Sequence, residues 1–231
     1  MRTAICIPCD LNYLIALNRL LPSLTKYDVD VVVISNDIQD TDLTGDAIIH
    51  RPGDTYDKLG PTGRFPVVVW YSFESFILGY DKVIWMGADQ LLVGDISEAF
   101  KHDFNISAVK ENIRIRPRGF CAGMLMIEPD KFPGIWDQWM AIAASFTNNK
   151  MGDQGVLNKW IRDNHIEVNV LDDTWDVTKR SFVHEKEWWN ENKHKFKSIH
   201  YVGAMKPWLG GEPGYEALDK FYLNGGEIPN A

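Results

Sequence analysis

No stretch of this chain approaches the roughly eighteen consecutive apolar residues that a membrane-spanning helix needs. No Gly/Ser/Pro-rich linker, internal repeat or low-complexity tract divides its 231 residues. Positive charge is in deficit: 24 lysines and arginines against 32 aspartates and glutamates leave a net charge of −8. The overall field therefore opposes a long polyanion, and nucleic acid is not an expected partner. A small phosphorylated ligand is not excluded, since one lysine and a metal ion can hold it. Cysteine is scarce, with only Cys6, Cys9 and Cys121. Cys6-x-x-Cys9 looks like half of a redox or zinc site, but no second pair exists, so buried apolar thiols are the expectation. Such usage fits a reducing compartment. The first residues run into an apolar segment without signal-peptide architecture. The expectation is a soluble, cytoplasmic protein without a membrane span. Glycine is absent from residues 8–13, where a nucleotide-sugar-forming nucleotidyltransferase would carry a Gly-rich phosphate loop.

With 45% hydrophobic residues the chain can bury a substantial core. Residues 3–7 form a short apolar run, a first strand. Leu14, Leu17, Leu20, Leu21 and Leu24 follow at helical spacing, with Pro22 as a kink or stop. Residues 29–34 are nearly all β-branched and read as a buried parallel strand, and residues 47–49 as another. Trp70, Phe73 and Ile77 predict a helix feeding a third buried strand at 82–86; residues 124–127 predict a strand and 153–161 a helix. Strand and helix in alternation predict a Rossmann-like, mostly parallel α/β sheet in one domain. Ligands of such sheets bind at the carboxyl ends of the strands.

The polar residues after those strands are therefore the candidates. Asp10 and Asn12 could bond a base or ribose and Tyr13 could stack on it; a helix N-cap with a staple aromatic explains them equally well. Asp89 could hold a hard cation and through it a diphosphate, although aspartates at such places are common turn formers. Near the C-terminus His200 could ligate a metal, Gly203 could let backbone approach a phosphate, and Lys206 could supply a point charge. Lys110, Arg114, Arg116 and Arg118 form a basic run that reads first as a solvated strand edge. Trp175, Trp188 and Trp189 could be platforms for a sugar ring or simply core.

Residues 82–89, Lys-Val-Ile-Trp-Met-Gly-Ala-Asp, resemble the strand carrying the Asp-x-Asp motif of glycosyltransferase family 8, the glycogenin and bacterial galactosyl- and glucosyltransferase group. Phe120-Cys121-Ala122-Gly123-Met124 is similar to its Phe-Asn-x-Gly-Val segment, and Asp153-Gln154 begins a helix similar to its Asp-Gln-x-x-Leu-Asn. Residues 200–208 match its His-x-x-Gly-x-x-Lys-Pro-Trp signature in full. The matches run in the family's order from residue 4 to residue 208. The resemblance implies a GT-A fold over residues 1–231, with a nucleotide-binding part at about 1–95 and an acceptor side at about 96–231. It implies transfer of a sugar, with retention, from a nucleotide-diphosphate donor, a UDP-sugar above others, to a glycan or other hydroxyl acceptor. It implies Mn²⁺ or Mg²⁺ on Asp89 and His200. Donor contacts would come from Asp10, Asn12, Tyr13, Arg64, Ala88, Cys121, Gly203 and Lys206, and catalytic ones from Gln154, Asp153 and Lys206. A homodimer is compatible with all of this. Two positions depart from the pattern: Gly87 replaces the first aspartate of Asp-x-Asp, and Cys121 replaces an asparagine at the donor sugar. Gly87 keeps open the alternative of a nucleotide-sugar-binding protein with weak or no transfer.

Overall fold

The structure is a computed structural model that describes residues 1–60, 66–101, 105–111, 119–145 and 152–231. Its strands in chain order are β1 (Thr3–Pro8), β2 (Asp30–Ile34), β3 (Ile48–His50), β4 (Lys82–Met86) and β5 (Gln90–Leu92). They continue with β6 (Ile106–Lys110), β7 (Phe120–Ile127), β8 (Asn169–Leu171), β9 (Val177–Thr178) and β10 (Ser198–His200). The α-helices are α1 (Leu14–Leu24), α2 (Ile135–Ser145), α3 (Gly152–Asp163), α4 (Arg180–His184), α5 (Lys186–Asn192) and α6 (Glu216–Asn224).

A seven-stranded sheet runs β3-β2-β1-β4-β7-β6-β8, and a small second sheet runs β5-β10-β9. The large sheet is mostly parallel, as the apolar runs predict; only β7 lies antiparallel to its neighbours β4 and β6. The apolar runs follow from burial on both faces. In β1, Ala4 and Cys6 enter one core with Trp85, Trp139 and Trp160, while Ile5 and Ile7 enter another with Leu17, Leu20 and Leu24 of α1. A third cluster, with Trp189, Tyr201 and Tyr222, lies under the small sheet. Cys6, Cys9 and Cys121 are all buried free thiols. No described helix is long and apolar enough to cross a membrane.

Two local expectations need correction. Pro22 does not end α1, which continues to Leu24. Proline frees the carbonyl four residues earlier, and that carbonyl, on Asn18, accepts instead from Thr44 Oγ1 at 2.8 Å. The helix over Trp70, Phe73 and Ile77 is a 3₁₀ helix, Val67–Phe76. Its period is three, so Trp70, Phe73 and Phe76 are the residues that share a buried face, whereas Ile77 is 55% exposed.

Candidate active site

β1 and β4 are parallel, so the residues that follow each emerge at the same edge of the large sheet. β7 runs the other way, which brings its first residues to that edge: Met124 pairs with Met86, and Gly87 N donates to Gly123 O at 2.9 Å. Beyond β4 the chain turns tightly, with Gln90 N donating to Gly87 O at 3.2 Å. β5 then pairs with β10 in a register that sets His200 opposite Gln90.

That register delivers Asp89 to the histidine. Asp89 Oδ1 lies 3.2 Å from His200 Nε2. Lys206 Nζ donates to Asp89 Oδ2 at 2.5 Å and to Tyr201 O at 2.6 Å. On the far side of the ring, His200 Nδ1 lies 3.1 Å from Asp176 Oδ1, which also accepts from Gln90 Nε2 at 2.8 Å. The imidazole thus sits between two carboxylates, and Lys206 balances the charge. Gly123 makes the space, because a Cβ there would lie 2.3 Å from His200 Nδ1 and 2.5 Å from Asp176 Oδ2.

The electrostatics follow from this packing. Burial by itself would lower the His200 pKa, but Asp89 and Asp176 outweigh it and hold the ring well above its ordinary 6.5. Burial likewise opposes ionisation of Asp89, and His200 and Lys206 reverse that, holding its carboxyl far below the usual range. Asp153, at the start of α3, is pushed up to about 7 by burial, against the pull of the Gln154 amide and of His200. Burial pushes the Cys121 thiol up to about 12.

Around this cluster the other candidates separate. Tyr13 meets Trp208 edge-on, with centroids 5.8 Å apart, and Lys206 Nζ lies 5.3 Å from the Tyr13 centroid. Asp10 caps a short 3₁₀ helix: Oδ1 accepts from Asn12 N at 3.0 Å and Oδ2 from Asn12 Nδ2 at 3.3 Å. Gly203 has a left-handed φ of 94° and open space where a side chain would project. Ala88 is buried. Gln154 Nε2 donates to Glu111 Oε2 at 3.0 Å. Asp153 accepts from Gln154 N at 2.8 Å and reaches the histidine cluster only through its charge. Asn158 ties the start of α3 to β7, accepting from Phe120 N at 2.7 Å and donating to Phe120 O at 2.8 Å. Trp189 is fully buried and Trp175 nearly so, while Trp188 stacks on Phe196 and lines a small cavity together with Cys121 and Asp176. Lys110 is exposed at the end of β6. Arg64, Arg114, Arg116 and Arg118 lie outside the described residues.

Sequence reasoning missed Asp176, Gln90 and Glu111, along with the clearance that Gly123 provides. Asp176 carries no motif and lies in a polar, aromatic stretch, and only its 4% exposure marks it. Adjacent donors on one divalent cation, with bonds of about 2.1 Å, lie about 3 Å apart. Asp89 Oδ1 and His200 Nε2 meet that spacing, and Gly87 leaves their open side without a third carboxylate. A divalent cation therefore fits these two residues once the Nε2 proton has left and a ligand supplies further oxygens.

A profile described as glycosyl transferase family 8 matches residues 70–211. Among solved structures, the glycosyltransferase GlyE of Streptococcus pneumoniae is similar with a TM-score of 0.74 and 18% identity, over 97% of this chain and 59% of GlyE. The galactosyltransferase LgtC, in complex with donor and acceptor sugar analogues, is similar with a TM-score of 0.73 and 16% identity, over 98% of this chain and 97% of LgtC. The bifunctional glycosyltransferase WbbM gives 0.68 and 17%, over 90% of this chain and 47% of WbbM. This chain thus spans less than two thirds of GlyE and of WbbM. At these identities the likeness is one of fold, the GT-A type. No curated protein matches the chain in sequence.

Proposed function

The chain belongs to glycosyl transferase family 8, and on that premise we propose that it moves a sugar from a UDP-sugar to a hydroxyl acceptor with retention of configuration. The observation that carries this reading is the Asp89–His200–Lys206 cluster at the carboxyl edge of the parallel strands, beside the Tyr13 and Trp208 rings.

In glycosyl transfer the bond between the anomeric carbon and the diphosphate oxygen breaks, and negative charge grows on the leaving group. Stabilising that charge is the largest task of the site. Lys206 is suited to it: its ammonium has three protons, Asp89 and Tyr201 accept two, and the third is left for a phosphate oxygen. Gly203, with open space at its left-handed backbone, lets a phosphate approach the chain closely. When bound by Asp89 and His200, a divalent cation supplies further positive charge to the diphosphate. Tyr13 contributes a ring face for the base, with Asp10 and Asn12 at the same strand end. Asp153 and Gln154 occupy the start of α3, where they would bond sugar hydroxyls and lie under the anomeric centre. In this reading the acceptor's proton passes to the departing phosphate, so no carboxylate nucleophile is needed.

Gly87 favours a second reading, a protein that binds the donor but transfers weakly. A panel of UDP- and GDP-sugars with Mn²⁺ or Mg²⁺, read by nucleotide release, separates the two. Release from a UDP-sugar is the expected outcome. UDP binding without release from any sugar selects the binding protein, and no nucleotide binding at all overturns both.

A further inference from the structure

His200 has two faces, and only its Nε2 face, toward Asp89, takes part in the reading above. Its Nδ1 face meets a different set of donors. Cys121 Sγ, an Asp176 carboxylate oxygen and a His200 ring nitrogen lie within 4.8 Å of one another. Asp176 is 4% exposed, and its Oδ2 is buried with no hydrogen-bond partner among the described residues. A buried carboxylate oxygen in that state is costly unless something pairs with it. Gly123 opens the space in front of it, since a Cβ would crowd both Oδ2 and Nδ1. Cys121 and Asp176 also line one small cavity.

We propose that Cys121, Asp176 and His200 Nδ1 form a second cation site, specific for a zinc-class ion, that shares the His200 ring with the donor-metal pair but uses its other nitrogen. Thiolate and imidazole together select Zn²⁺ or Co²⁺ over Mn²⁺ and Mg²⁺, which prefer oxygen. Donors bound tetrahedrally to zinc lie about 3.5 Å apart, so the three need only a small closure from their present spacing. Binding displaces two protons to solvent, one from the Cys121 thiol and one from His200 Nδ1, and forms the metal–sulfur and metal–nitrogen bonds. A fourth position remains for water. One consequence rests on the assignment of Asp89 and His200 to the donor metal. A neutral imidazole carries one proton, and a cation on Nδ1 sends it to Nε2, where Asp89 accepts it. Zinc at this site therefore expels Mn²⁺ from the other.

The test is a Co²⁺ titration of the metal-free full-length protein, without nucleotide, followed by absorption. A thiolate-to-cobalt charge-transfer band is expected in the wild type. It should vanish in Cys121→Ser and persist in Cys9→Ser, and Zn²⁺ affinity should fall at least tenfold in Cys121→Ser. In a separate arm with UDP present to hold Mn²⁺, competition should follow the same pattern: Zn²⁺ releases Mn²⁺, read by electron paramagnetic resonance, from the wild type but not from Cys121→Ser. No charge-transfer band in the folded wild type overturns the proposal, whether or not Cys121→Ser folds, and so does a band that survives in Cys121→Ser. Because the cobalt spectrum needs neither UDP nor transfer, its failure leaves the glycosyl-transfer reading standing, and the reverse holds.

Discussion

Gly123→Ala adds one methyl group where the structure has no room for it. The new Cβ would lie 2.3 Å from His200 Nδ1, 2.5 Å from Asp176 Oδ2 and 2.6 Å from His200 Cε1. Ordinary contacts are about 3.5–4.0 Å, so ring and carboxylate must each retreat by about 1 Å. Neither retreats easily, because Asp89 holds the ring on its other side and Gln90 holds the carboxylate. Gly123 is not among the glycines with left-handed φ, so backbone strain adds nothing to the cost. Overpacking of this kind destabilises by about 1–3 kcal/mol. In a chain of this length each kcal/mol lowers Tm by about 2–4 °C, so a drop of about 2–12 °C is expected. Turnover should fall further, by roughly a hundredfold, because a shift of about 1 Å in a positioned group has that effect. Thermal melts and nucleotide release on the same preparation measure both. A variant with wild-type Tm and wild-type release would refute the crowding argument and the role given to His200.

UDP with Mn²⁺, at a hundredfold excess over its dissociation constant, should add about 2.7 kcal/mol and raise Tm by about 5–10 °C; no shift with UDP or GDP would sink the nucleotide-sugar reading. Asp153, with its folded pKa raised to about 7, binds more protons folded than unfolded between about pH 4 and 7. It should therefore subtract up to about 4 kcal/mol as pH rises through that window, and Asp153→Asn should flatten the Tm–pH curve there; an unchanged slope would contradict the burial assigned to it. Gly87→Asp should tighten Mn²⁺ binding without nucleotide, since its Cβ would crowd only the movable end of Asp89, at 2.8 Å. Calorimetry showing a stable variant with unchanged affinity would mean that the ligand set is wrong. Lys206→Met leaves Asp89 buried with half its counter-charge and should cost about 3–5 kcal/mol, part of which the double variant with Asp89→Asn recovers. A Tm for the double variant no higher than for the single would break the pairing seen here.

The sequence by itself determined β1 to β4, the inner half of β7, α1 and α3, because β-branched and apolar runs covered on both faces have few alternatives. The remaining short strands and the other helices of the second half carry no such run. It also carried the family resemblance, through signatures that are contiguous in the chain: residues 82–89 and 200–208 keep their order and spacing whatever the fold does between them. Tertiary context overrode a local rule twice. Of the kink or stop expected at Pro22 the stop does not occur, because Thr44 satisfies the freed carbonyl, and Ile77 leaves the buried face through a change of helical period from 3.6 to three.

Tertiary structure alone decided the far side of His200. Asp176 stands 24 residues from His200 and 86 from Gln90, and no local pattern relates the three. Strand direction and register join them. β7 runs against β4, which carries Cys121 and Gly123 to the edge where β4 ends, and the pairing of β5, β10 and β9 lines up Gln90, His200 and the residues after Asp176. Register follows from which side chains the whole core can bury. A buried charge is stable only where such long-range pairing supplies its partners, so the same chain could be read for its elements without showing what surrounds its histidine.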